Sequence, residues 1–233
     1  EKIMQKKNAR TLVIGDMHAP VCREDYIPFL KKTASKYKTN RTIMIGDLVD
    51  WHSISFHDKE YSMRDPEKEY ADALKQVQRL YKVFPEVTWL IGNHDALTQR
   101  QANLVGRPIS SLQSYAELWK VTGWEVIPRF GAIIENDVLY QHGDRGKGGL
   151  FPALANAKEE HISVVQGHYH MAAGVQFTAN NRHRLFGMQV GCGIDVKSAA
   201  MNYGIKFNRK PILGCGVVIG GVPYFEPMLL GGK

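Results

Sequence analysis

Val87-Thr88-Trp89-Leu90-Ile91, followed by Gly92-Asn93-His94-Asp95, is the stretch whose reading decides the fold. The first five residues form an unbroken apolar and β-branched run, the pattern of a strand covered on both faces. The next four set an amide, an imidazole and a carboxylate directly behind a glycine. In α/β proteins the loop beyond the carboxyl end of a buried strand is where ligands bind. An Asn carbonyl is a hard oxygen ligand, and an imidazole can hold a metal or move a proton.

Upstream, the same arrangement occurs twice. Thr11-Leu12-Val13-Ile14-Gly15 delivers Asp16-Met17-His18, and Thr42-Ile43-Met44-Ile45-Gly46 delivers Asp47-Leu48-Val49-Asp50. Between these strands, Glu24 to Tyr37 predicts a helix, with Ile27, Leu30 and Ala34 on one face and Pro28 in the first turns, where it is tolerated. Asp65-Pro66-Glu67 is a helix start with a capping Asp and an N-terminal Pro, and the helix is expected to run to about Phe84. Trp51 to Arg64 has no period and reads as a loop or short helical turn.

Downstream, Asp95 to Gly123 is predicted helical, with Leu112, Tyr115, Leu118 and Trp119 at helical spacing. Strands then dominate: Ala132 to Glu135 and Val138 to Gln141 around an Asn136-Asp137 turn, then Ile162 to Gln166, Gly174 to Thr178, Arg184 to Val190, Gly214 to Ile219 and Val222 to Phe225. Strand–helix alternation followed by strands predicts an α/β fold, two sheets face to face with helices outside.

Two downstream strands end like the first three. His142 follows Val138 to Gln141, and Gly167-His168-Tyr169-His170 follows Ile162 to Gln166. A single Asp after a strand usually caps a turn or a helix. Five such strand ends are a different matter, because parallel strands bring their carboxyl ends to one edge. Nine Asp, Asn and His groups converging there would be poorly solvated without cations among them. The mixed oxygen and nitrogen set suits Mn, Fe, Zn or Ni better than Mg or Ca alone, and its size suits two ions bridged by a carboxylate.

Composition narrows the class. The chain has 233 residues, 44% hydrophobic and 23% charged, which predicts residues 11–233 as one globular domain behind a polar tail at 1–10. No apolar run reaches the roughly 20 residues of a membrane span, and Glu1 to Arg10 lacks the apolar core of a signal peptide. The three cysteines, Cys22, Cys192 and Cys215, form no disulfide framework or zinc knuckle, so a cytoplasmic location is expected. The formal charge of +7 favours anionic partners, nucleic acid included, although the basic residues are scattered.

The five clusters together resemble the calcineurin-like metallophosphoesterase superfamily, whose pattern is D-x-H, G-D-x-x-D, G-N-H followed by D or E, a single H, and G-H-x-H. They occur in that order over about two thirds of the chain, Asp16 to His170. The resemblance implies a four-layer α-β-β-α sandwich of two mixed sheets and a dinuclear metal centre, manganese first, with Fe, Zn, Ni or Mg as alternatives. Asp16, His18 and His170 would hold one ion and Asn93, His142 and His168 the other, with Asp47 common to both. His94 would protonate the leaving oxygen, and Asp50 would orient His94 and keep it charged. The implied reaction is hydrolysis of a phosphoester by in-line attack of a hydroxide shared by the metals.

The substrate is read from fewer residues. The protein-phosphatase branch continues its second block as Asp-Arg-Gly and ends its third in Glu, whereas this chain has Asp50-Trp51-His52 and Asp95. That favours a phosphodiester of nucleic acid (DNA or RNA) or a nucleotide. A phosphomonoesterase, including a Ser/Thr protein phosphatase, is the first alternative, and a non-catalytic metal-binding scaffold the second. The stretch from Asp50 to Pro66 and the Gly-rich tail look similar to small bacteriophage phosphoesterases, which would place the protein in a host cytoplasm. Arg145 and Lys147, in the Gly-rich loop after His142, are candidate phosphate contacts, and Trp51 and His52 are candidates for stacking on a base.

Overall fold

The computed structural model describes residues 2–4, 8–57, 59–198 and 208–229. The described residues form two six-stranded sheets. The first contains, in spatial order, β12 (Val222–Pro227), β11 (Gly214–Ile219), β2 (Arg10–Ile14), β3 (Arg41–Met44), β4 (Thr88–Leu90) and β5 (Glu125–Ile127). The second contains β1 (Lys2–Met4), β6 (Ile133–Glu135), β7 (Val138–Gln141), β8 (Ser163–Gln166), β10 (Arg184–Val190) and β9 (Ala173–Ala179). Both are mixed. β2 to β5 run parallel while β11 and β12 are antiparallel, and β7, β8 and β10 run parallel while β9 is antiparallel.

The alternation of side chains along each strand explains the layers. Val13, Ile43, Ile45 and Leu90 face the second sheet and meet Tyr140, Val165, Met188 and Val190. Their sequence neighbours Leu12, Ile14, Met44 and Trp89 face outward instead. They are covered by Tyr26 and Leu30 of α1 (Tyr26–Tyr37) and by Ala73, Val77 and Leu80 of α2 (Pro66–Val83). On the far side, Leu139 and Val164 of the second sheet pack with Ala157 of the helix Pro152–Glu160. The order is therefore helix, sheet, sheet, helix, as the resemblance implies. Each fully buried aliphatic side chain contributes roughly 1.5–3 kcal/mol, so the doubly covered strands hold the frame.

Helix α2 begins as its sequence predicts. Asp65 Oδ1 accepts from the N–H groups of Glu67 and Lys68 at 3.1 and 3.0 Å, and Pro66 stands at the first helical position. Residues 95–123 depart from expectation. They hold α3 (Leu97–Leu104), a single turn at Ile109–Ser111 and the short α4 (Tyr115–Leu118). The break falls at Gly106, which has φ +69°, and at Pro108, two residues that do not continue a helix. The nine-residue helix over the second sheet, Pro152–Glu160, is α5.

Two strands were not expected. Glu125–Ile127 extends the first sheet as an edge strand. Lys2–Met4 pairs in parallel with Ile133–Glu135, so part of the stretch read as a polar tail is an edge strand of the second sheet. Residues 51–64 hold two single helical turns, His52–Ile54 and Tyr61–Met63. Among the described residues no helix is long and apolar enough to cross a membrane.

Candidate metal centre

Strands β2, β3, β4, β7 and β8 end at a common edge, and the loops beyond them are tied together by backbone hydrogen bonds. The N–H groups of Met17 and His18 both donate to the Asp47 carbonyl, at 3.0 and 2.9 Å, and Gly167 N–H donates to the His142 carbonyl at 2.9 Å. Close approach is built in at two glycines. A Cβ on Gly92 would stand 2.2 Å from Asp47 Oδ1, and one on Gly167 would stand 2.2 Å from Asp16 Oδ1. His18, Asp47 and His168 have φ of 52°, 49° and 69°, in the left-handed region that such residues seldom adopt. Backbone strain of this kind gathers at functional sites, where surrounding contacts hold it.

Asp16 Oδ2 accepts from His168 N–H and lies 2.8 Å from His170 Nε2, while its Oδ1 is buried with no hydrogen-bond partner among the described residues. His18 Nδ1 meets Asp50 Oδ1 at 2.7 Å, which turns His18 Nε2 toward His170 Nε2, 3.2 Å away. His142 Nδ1 meets the Ile45 carbonyl at 3.0 Å. Its Nε2 then faces two oxygens, Asn93 Oδ1 at 3.0 Å and Asp47 Oδ2 at 3.3 Å. Asp47 Oδ2 also lies 3.7 Å from His18 Nε2, and Asp47 Oδ1 accepts His94 N–H at 2.8 Å.

These contacts form two donor groups that share Asp47, beside a third made of His18, Asp50 and His94. Donor atoms of Asp16, His18, Asp47 and His170 lie within 4.8 Å of one another, as do those of Asp47, His142 and His168. Asp47 belongs to both. The set fits a pair of divalent cations on chemical grounds. His18 and His142 each have one ring nitrogen held by an acceptor, which aims the other inward, the usual support of a metal-ligating imidazole. The inward nitrogen of His142 converges with Asn93 Oδ1 and Asp47 Oδ2, and Asp16 Oδ2 with His170 Nε2, the mixed oxygen and nitrogen donors that a divalent cation takes.

Electrostatics agree. Burial alone would lower the His142 imidazole, but the charge and hydrogen bond of Asp47 raise it to about 10 in the metal-free protein. Burial would raise Asp47, yet His142 and His94 hold it well below the usual carboxylate range. Burial lowers His18 and His168. His94 is raised, because the attraction of Asp47 and Asp50 outweighs its burial. The two imidazoles that are raised, His142 and His94, are the ones on which the Asp47 charge acts most strongly.

Some expected roles are placed differently. The Asp50 carboxylate belongs first to His18. It lies 3.4 Å from His94 Nδ1, and the closer partner of His94 Nδ1 is the Asp50 backbone carbonyl at 2.6 Å. Trp51 and His52 do not present rings to a base. Trp51 is 7% exposed and stacks on Tyr70 at 6.2 Å against Trp119, and His52 Nε2 accepts from Glu60 N–H at 2.9 Å. The reason is Glu69, buried in α2, whose two oxygens accept the N–H groups of His52 and Ser53 and pull that turn inward. Lys147 Nζ lies 3.3 Å from Glu159, and its N–H donates to Asn156, so the Gly-rich loop folds onto α5. Arg145 is exposed.

Other residues also stand at the site. Asp95 is buried and accepts from Gly92 N–H, Val49 N–H and Trp89 Nε1–H, which pins the second and third loops together. Burial and the nearby Asp47 raise its carboxyl to about 7. Arg129 pairs with Asp144, two residues after His142, at 2.9 and 2.8 Å. Arg100 stacks on Phe56 and reaches the Asn93 carbonyl at 3.5 Å. Only Asp95 carried a sequence signal, as the last residue of the Gly92 block. The arginines lie outside the five clusters.

A profile of the calcineurin-like phosphoesterase family matches residues 9–196, most of the chain, and the protein belongs to that family. Among solved structures, vacuolar protein sorting 29 from Cryptosporidium parvum is similar, at 14% identity and a TM-score of 0.50, covering 97% of this chain and 95% of that one. A single mutant of Vps29 from Entamoeba histolytica aligns at 12% identity and a TM-score of 0.43, covering 94% and 98%. Vps29 from Chaetomium thermophilum aligns at 13% and 0.41, covering 94% and 100%. Likeness at such identity concerns the fold alone. No curated protein matches the chain.

Proposed function

We propose that this protein is a phosphoester hydrolase with a dinuclear manganese centre, acting on a phosphodiester of a nucleotide or nucleic acid. The observation that carries the reading is Asp47, which stands in both donor groups while its Oδ1 holds the backbone of His94. Divalent cations held by Asp16, His18 and His170 and by Asn93, His142 and His168, with Asp47 common to both, would neutralise phosphoryl oxygens and lower the pKa of water.

The chain's own residues do the rest. His94 is three-quarters buried, with its Nδ1 on the Asp50 carbonyl and its ring edge-on to His18, 4.6 Å between centroids. That hydrogen bond orients the ring, and the attraction of Asp47 and Asp50 raises its pKa in the metal-free protein, the direction a proton donor to the departing oxygen needs. Asp50 positions both imidazoles, His18 through its carboxylate and His94 through its carbonyl. The preference for a diester rests on Trp51, which occupies the place where the protein-phosphatase branch carries its arginine.

Hydrolysis of bis-p-nitrophenyl phosphate and p-nitrophenyl phosphate with Mn²⁺ supplied tests the reading. Faster diester cleavage is expected, falling about 100-fold or more in His94→Ala with metal content unchanged. Faster monoester cleavage would overturn the diester preference. No cleavage of either ester with two ions bound would overturn the enzyme reading.

A further inference from the structure

Beside the donor groups the same edge carries two guanidiniums. Helix α3 starts directly on the loop beyond β4, where Leu97 N–H donates to the His94 carbonyl at 2.9 Å. Arg100 stands one turn along that helix, and its side chain folds back until Nη1 is 3.5 Å from the Asn93 carbonyl. Gln101 Nε2 donates to the Ile54 carbonyl at 2.6 Å, which ties the turn His52–Ile54 to α3. Phe56 follows that turn, and its ring centroid is 4.5 Å from the Arg100 guanidinium. A guanidinium seated on an aromatic face is held in place while its N–H edge stays available for hydrogen bonds.

The charges around Arg100 do not balance. Arg129 donates to Asp144 through two nitrogens, at 2.9 and 2.8 Å, and the Asp144 charge also reaches His142, His168 and Arg100. One carboxylate thus answers two guanidiniums. Burial and the like charge of Arg129 hold Arg100 below its ordinary value, and Asp144 offsets only part of this. Among the described residues no carboxylate forms an ion pair with Arg100. Five N–H donors on a half-buried group, with one long contact to a carbonyl, leave it short of acceptors. The imbalance lies at the mouth of the site. Asn93, His94, His168 and His170 are partly exposed there, whereas Asp16, His18, Asp47 and His142 are buried beneath.

We infer that Arg100, braced by Phe56, takes an anionic oxygen of the phosphate held at the metal centre and is the residue that recognises the charge of the substrate. This rests on the phosphoesterase reading above and deepens it. A guanidinium offers paired N–H groups that match the oxygens of a phosphate. The Gly-rich loop is less suited to the task, since its Lys147 is engaged with Glu159.

The test uses Mn²⁺-loaded protein, freed of excess metal, beside its Arg100→Ala, Arg100→Lys and Phe56→Ala variants. Calorimetry with orthophosphate reads binding without turnover. Arg100→Ala should weaken binding about 10- to 100-fold, and Arg100→Lys should recover part of the loss. Phe56→Ala should weaken it about two- to fivefold, because the guanidinium loses its seat. Lys75→Ala takes the same charge from an exposed face of α2, where Lys75 pairs with Asp72, and should leave binding unchanged. Metal content and thermal midpoint should be the same in every variant. Orthophosphate binding that survives Arg100→Ala, or that falls only because metal is lost, overturns the assignment.

Hydrolysis separates this inference from the reading beneath it. The KM for bis-p-nitrophenyl phosphate should rise about tenfold in Arg100→Ala. Cleavage with an unchanged KM would sink the role of Arg100 alone. Orthophosphate binding that depends on Arg100, in a protein that cleaves no phosphoester, would sink the enzyme reading and leave Arg100 as an anion-binding residue.

Discussion

The two sheets contribute different chemistry to their shared edge. The first supplies every carboxylate of the donor groups, Asp16, Asp47 and Asp50, together with Asn93, His18 and His94. The second supplies only imidazoles, His142, His168 and His170. An anionic wall therefore faces a wall that is neutral or cationic according to its protons. The seam between them is held by direct contacts, Asp16 with His170 and Asp47 with His142. Such a seam would bind a cation by exchanging the proton of His142 while the carboxylates opposite keep their charge.

The comparison is broken most severely by taking charge from the first wall. Asp47→Asn should lower hydrolysis about a thousandfold and reduce bound metal from two ions to one or none, because both donor groups use this residue. Metal analysis beside His168→Ala, which belongs to one group, sharpens the contrast. If both variants keep the same metal content, the idea of a common ligand fails.

Asp50→Asn should be milder, about 10- to 100-fold in metal affinity, since it loosens the His18 ring and leaves in place every side chain of the two groups that share Asp47. The His94 bond to the Asp50 carbonyl survives this change. The pH–rate profile should show the His94 limb moved to lower pH, because the Asp50 charge helps to raise that imidazole, and an unmoved limb would contradict this attraction.

Protons on the second wall set a pH dependence. His142 is raised from 6.5 to about 10 in the metal-free protein, so its contribution to stability is complete below about pH 6.5 and is lost as pH climbs toward 10. Asp47 is depressed, so its contribution is present above its ordinary value of 3.8 and is lost in acid. A cation displaces the His142 proton, and metal affinity should rise about tenfold per pH unit between 7 and 8. Calorimetric titration in two buffers of different ionisation heat would show the released proton, and a pH-independent affinity would contradict this assignment. The smallest effect is expected from Lys147→Ala. Its ammonium sits on exposed Glu159, and kcat/KM should stay within about twofold.

Much of this was legible in the sequence because it is local. An apolar run ending in Gly and a ligating residue reports a strand and its loop together, and five such units imply a common edge. The alternation of Leu12, Val13 and Ile14 gives the two faces of β2 without any knowledge of what covers them. The helix expected over residues 95–123 failed for a local reason too, since Gly106 and Pro108 outweighed the spacing of Leu112, Tyr115 and Trp119.

What the sequence by itself determined is thus the set of elements and the chemical character of the edge at which they end. Tertiary structure alone decided which atoms meet there. Asp50 turned its carboxylate to His18, 32 residues away, and Trp51 went into the aromatic core because Glu69 of α2 captured its turn. Arg100 met Phe56, and Arg129 met Asp144, from separate stretches of the chain. The physical reason is one of range. Periodicity and capping act over a few residues, whereas such contacts depend on sheet register and on how two sheets stack, which no single stretch of chain encodes.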